Sequence, residues 1–115
     1  MSADLPGVLL VLTTLPDADT AARIARALVE GGHAACVSIG APVRSVYVWQ
    51  GALEDASEVP LAIKTTADAY DALEAALRAL HPYELPEIVA LPVTRGLPAY
   101  LQWVDAGCGG ADEPC

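Results

Sequence analysis

No apolar run in the 115 residues approaches the roughly 18 consecutive residues that a membrane-spanning helix needs, so no membrane partner is expected. No basic stretch leads into an apolar one at the N-terminus, so no secretory leader is legible and a cytoplasmic location is the default. Basic residues are scarce, six Lys and Arg against fifteen Asp and Glu, and the formal charge is -9. Such a surface repels phosphate backbones, which excludes nucleic acid as a partner and weakly favours cations. Cysteine occurs three times, an odd count without any CxxC, so neither a zinc knuckle nor a redox pair is supported and reduced thiols are the simplest state. There is no nucleophile beside a base, no glycine loop shaped to cradle phosphate and no pair of carboxylates flanking an obvious site. An enzyme is therefore the least supported class.

What is present is a packed domain. A hydrophobic content of 54% with 18% charged residues excludes disorder over most of the length, and the length fits one domain. GVLLVLTT is a continuous apolar run readable as a strand buried on both faces. PDADTAARIARALVEGG reads as a helix capped by Asp17, with Ala21, Ile24, Ala25 and Leu28 on one stripe and Gly31 and Gly32 as its stop. A second strand runs through AACVSI and on into VRSVYVWQ, where Ser45, Tyr47 and Trp49 share one face and Arg44, Val46 and Val48 the other. QGALEDASE supplies the turn, and VPLAIKT returns as a strand whose Pro60 marks an edge or a bulge.

TTADAYDALEAALRALH is the second helix, with Thr66 as its cap, Tyr70, Leu73, Leu77 and Leu80 as its stripe, and Glu74 and Arg78 as an exposed pair. EIVALPV is the last strand, and a short helix begins at Pro98 with Leu97, Leu101 and Val104 apolar. The domain thus spans residues 1–106, and residues 107–115 form a glycine-rich, disordered tail. In that tail Cys108, Asp112, Glu113 and Cys115 could capture a metal only adventitiously. The order of elements, βαββαβ, is that of an α+β split βαβ, ferredoxin-like sandwich with both helices on one face of an antiparallel sheet. The uncovered apolar face and the long hairpin call for a second copy of the chain as their cover.

Several separate stretches, ACVSI, RSVYVWQG, LAIKTT and ALHPYELPEIVALPVTRGLPAYLQWV, resemble in order and spacing the motifs of the CutA divalent-cation tolerance family, over about Val8 to Val104. The resemblance implies a ferredoxin-like subunit in a tight homotrimer, with the hairpin strands completing sheets across neighbours. It also implies an architecture similar to the PII nitrogen-signalling trimers, which hold small ligands between subunits. Its functional implication is divalent-cation tolerance with binding of Cu(II) or another divalent cation, without enzyme activity; some family members are linked instead to scaffolding. In members credited with copper binding, a cysteine closes the first strand and paired histidines precede Pro-Tyr; the matching positions here are Thr13, Leu80 and His81.

His81 is read either as a metal ligand, as a helix-end residue bonding the last carbonyls, or as a contact in an intersubunit cleft. The topology sets it near Thr13 and Thr14 and sets Cys36 at the opposite sheet edge, so a Cys36–His81 metal site needs a neighbouring subunit. Cys36 is otherwise a small core residue. Lys64, Trp49, Tyr83 and Glu84 are the expected ligand-binding set for a small anionic metabolite, with Glu84 or Glu87 as ion-pair partners for Lys64. The bland reading of Trp49, Tyr83, Tyr100 and Trp103 is interface packing.

Overall fold

The computed structural model describes residues 7–108. Along the chain run β1 (Val8–Leu15), α1 (Ala18–Glu30), β2 (Cys36–Ile39), β3 (Val43–Trp49), β4 (Ala52–Thr66), α2 (Tyr70–Leu80), β5 (Val89–Pro92) and α3 (Pro98–Gly107). The sheet order is β2-β4-β1-β5, β3 also pairs with β4, and all pairings are antiparallel. With β2 and β3 taken as one interrupted strand, this is the ferredoxin-like order expected from the sequence.

The helices cover one face because the pleat delivers every second side chain to it. Val11, Thr13 and Leu15 of β1 and Val59, Leu61 and Ile63 of β4 are buried there. The apolar ones among them meet Ile24 and Leu28 of α1 and Leu73 and Leu77 of α2 in one cluster. Each fully buried leucine contributes about 2 kcal/mol. The Asp17 side chain accepts from the Thr20 amide at 2.7 Å and caps α1 as expected. Gly31 closes the helix in a right-handed conformation, and it is Gly32, at φ 75, that takes the left-handed one. A smaller cluster of Val8, Ala35, Leu101 and Val104 seats α3 at one end of the sheet. The helix runs through the buried Gly107, and Cys108 packs against that cluster with its sulfur 3.9 Å from the Thr65 hydroxyl. Packed structure therefore continues two residues past the expected boundary, while Asp112, Glu113 and Cys115 lie outside the described residues.

Two local expectations change, and the one for Pro60 narrows from edge or bulge to bulge. QGALEDASE is not a long turn: only Gln50 and Gly51 turn, both at positive φ (51 and 81), as a two-residue hairpin of the I′ kind requires. ALEDASE is strand, with Glu54, Ala56 and Glu58 on one face and Leu53, Asp55 and Ser57 on the other. Its polar composition hides that alternation. Pro60 sits inside β4, opposite Thr14 of β1. On the other side of β4 the partner is interrupted between Ile39, opposite Leu61, and Val43, opposite Glu58, so one extra residue bulges there. The missing Pro60 amide falls at that gap, and the Pro60 carbonyl accepts from Gly40 at 2.9 Å. Glu74 and Arg78 make no ion pair; among the described residues the pairs are Arg26–Glu30 and Arg44–Asp55. Thr66 does cap, but one turn early: its hydroxyl accepts from the Ala69 amide at 3.2 Å, ahead of Tyr70.

At 15 residues β4 spans about 50 Å, matching the longest dimension of 47 Å. Its second half is the middle of the sheet; its first half pairs with β3 alone and projects beyond the core. The turn that ends this projection is a testable point. A Cβ at Gly51 would touch nothing within 4 Å, so the penalty of Gly51→Ala is conformational rather than steric. We expect a loss of about 1 kcal/mol, read as a lower urea midpoint with an unchanged slope.

Candidate functional site

Helix α2 ends at His81, whose extended backbone turns the chain into Pro82 and lets the His81 amide bond the Leu77 carbonyl at 2.9 Å. The imidazole then points to the end of β1 rather than along the helix. Its Nε2 lies 2.9 Å from the Thr14 carbonyl oxygen and 3.2 Å from Thr13 Oγ1, while its Nδ1 accepts from the Tyr83 amide at 3.2 Å. These partners settle the tautomer. A carbonyl can only accept, so Nε2 carries the hydrogen; an amide can only donate, so Nδ1 offers its lone pair. The residue is 8% exposed, and its ring stands 4.9 Å from the Tyr83 ring. Burial lowers its pKa from 6.5, opposed in part by the Thr14 carbonyl and the Glu58 charge.

Tyr83 continues the network. Its hydroxyl donates to Glu58 Oε2 at 2.7 Å, and Glu58 is only 6% exposed although it belongs to the projecting part of β4. Burial, the bond to Glu58 and the negative charge there raise the Tyr83 pKa well above its ordinary value, so the phenol stays a donor. The loop after α2 is thereby tied to two strands, to β1 through His81 and to β4 through Tyr83.

Between this loop and the hairpin lies a cleft of about 750 Å³ lined by Thr14, Ser45, Tyr47, Trp49, Glu58, Pro82, Tyr83, Glu84, Leu85 and Glu87. Trp49, Tyr83 and Glu84 of the expected ligand set therefore line one cavity. Lys64 is not among them. It lies on the sheet face away from the helices, paired with Leu10 on one side and Cys36 on the other, and neither Glu84 nor Glu87 is within ion-pair distance of it among the described residues. An anion site built from Lys64, Tyr83 and Glu84 is thus not formed in one subunit.

The expected metal ligands fare similarly. Cys36 lies opposite Lys64, whereas His81 holds Thr13, which lies opposite Leu61. That is three residues along and two strands across, roughly 10 Å in each direction. Both ring nitrogens of His81 are engaged, so no lone pair is free for an ion. Among the described residues no three His, Cys, Asp or Glu side chains converge as a metal site. The donors of one subunit do not fit a copper centre. What residue-by-residue reading missed is Glu58, buried in a segment taken for a turn; its face shared with Tyr47 and Trp49 becomes visible only once ALEDASE is read as a strand.

A protein-family model described as CutA1 divalent ion tolerance protein matches residues 9–107. Among curated relatives, a divalent-cation tolerance protein CutA of Thermus thermophilus is 46% identical over 99 residues, covering 86% of this chain and 96% of that protein. The mouse protein CutA is 44% identical over 104 residues, 90% of this chain but 59% of its own length. A crystal structure of CutA1 from a psychrotrophic Shewanella bacterium superposes with a TM-score of 0.87 at 45% identity, covering 92% of this chain and 99% of that one. The chain belongs to the CutA1 divalent ion tolerance family. No helix among the described residues is long and apolar enough to cross a membrane.

The His81 geometry carries a pH dependence with a definite sign. The folded pKa lies below the unfolded one, so the unfolded chain binds the extra proton and stability rises with pH across the window between them. The contribution is complete above 6.5 and is lost as pH falls below it toward the folded value. Urea unfolding at about pH 7.5 and about pH 5.5 should show lower stability at the acid end, with a smaller difference in His81→Gln. An equal difference in that variant would remove His81 as the source.

Proposed function

We propose that this member of the divalent ion tolerance family acts as a homotrimer in the cytoplasm, supporting tolerance of divalent cations without catalysing a reaction. The observation that supports assembly is the hairpin. Beyond Val59, β4 has only β3 beside it, and a lone two-stranded ribbon is marginally stable in water. Yet Val46, Val48 and Leu53 on one of its faces are 64%, 68% and 74% exposed. A second apolar patch lies on the sheet face without helices, where Leu10 and Leu12 neighbour the exposed Leu91 and Val89. Docking between copies covers both patches at once. The count of three rests on the resemblance to the CutA family.

The reading without catalysis rests on the family, which is described by divalent ion tolerance. The cytoplasmic reading is supported by Cys36 and Cys108, neither of which is bonded to another cysteine among the described residues. As for copper, we assign tolerance to the assembly rather than to an ion held by His81, since that ring is committed on both nitrogens.

Sedimentation equilibrium should give three times the 11.9 kDa chain mass at micromolar concentration. Replacing Val46 and Leu53 together by Glu should shift the species to monomer, and a monomeric wild type would end the assembly reading. Calorimetric titration with Cu(II) should give the same stoichiometry for wild type and His81→Ala. Loss of one site per subunit in the variant would make His81 a ligand after all.

A further inference from the structure

The cleft beneath the hairpin has one sign of charge. Glu58, Glu84 and Glu87 line it, and no Lys, Arg or His does. The ion pairs among the described residues, Arg26–Glu30 and Arg44–Asp55, involve none of these carboxylates. Glu58 is more than nine-tenths buried and spends only Oε2 on Tyr83; Oε1 makes no hydrogen bond among the described residues. Alternation along β3 turns Tyr47 and Trp49 to the side of the hairpin shared by Glu54 and Glu58, and neither ring is stacked on another among the described residues. Aromatic faces and carboxylates attract the same class of ligand, a cation with carbon around its charge.

Two observations narrow the class. The carboxylates do not converge, since no three acidic, His or Cys groups among the described residues lie close enough to hold a metal ion. A bare divalent ion needs converging oxygens, whereas charges spread along a flexible hydrocarbon chain suit dispersed ones. The cavity of about 750 Å³ also lies within the usual range for small organic ligands. We propose that the cleft formed by Tyr47, Trp49, Glu58, Tyr83, Glu84 and Glu87 binds an aliphatic oligoamine, with its ammonium groups against the carboxylates and against the faces of Tyr47 and Trp49. Binding of this kind is independent of the copper question.

Calorimetric titration of the full chain with spermidine tests it. One saturable site per subunit is expected. Trp49→Leu should weaken it roughly threefold, the size of one exposed cation–π contact. The pair Glu84→Gln and Glu87→Gln should weaken it roughly tenfold. The pair Glu30→Gln and Glu74→Gln makes the same charge change on the helices and should leave the affinity unchanged. No saturable binding would overturn the proposal. Equal weakening by both double variants would also overturn it, by showing attraction to net charge alone. So would full displacement by Mg²⁺ at matched ionic strength, which would make the cleft an inorganic cation site.

Discussion

Strand β4 is the constraint from which the rest follows. One 15-residue segment pairs with β1, β2 and β3, so its register sets the position of three of the four other strands, and β5 follows through β1. Its second half carries Leu61 and Ile63 into the core shared with both helices. Its first half leaves that core and takes Glu58 and the hairpin with it. A single strand thus joins the packed core to the part that exposes its apolar side chains.

The loop after α2 closes the gap between these two parts. His81 and Tyr83 use different kinds of hydrogen bond to do so. The imidazole joins backbone to backbone, linking the Thr14 carbonyl to the Tyr83 amide, and serves this role only while neutral. The phenol joins side chain to side chain and leaves Glu58 with a donor in a nearly buried place. A buried carboxylate without such a donor is strongly disfavoured. The same loop supplies Glu84 and Glu87 to the cleft, so the bonds that hold it also shape the cavity.

Family membership and local geometry bear on different questions here. Membership concerns tolerance of divalent ions; the geometry concerns which atoms remain available to bind one. A histidine in a motif is a ligand only when a nitrogen lone pair points into open space, and in this chain both nitrogens face backbone groups. Cys36 meanwhile sits beside Lys64 on the sheet face without helices, a face that the proposed assembly would cover.

Much of the fold was legible from periodicity. The stripe Ala21, Ile24, Ala25 and Leu28 is the buried face of α1 residue for residue, because a helix places positions three and four apart on one side. The placement of His81 near Thr13 and Thr14 followed from element order alone, since antiparallel topology brings the end of α2 to the end of β1. ALEDASE was not legible as strand, because its partner, not its own composition, holds it extended. The sequence by itself determined the order of elements, the helix faces and the shortage of positive charge. Only tertiary structure decided that Glu58 is buried against Tyr83, that Lys64 stands apart from Trp49 and Glu84, and that His81 has no free nitrogen. Those outcomes depend on which residues face one another across strands and loops distant in sequence, and no local pattern encodes that.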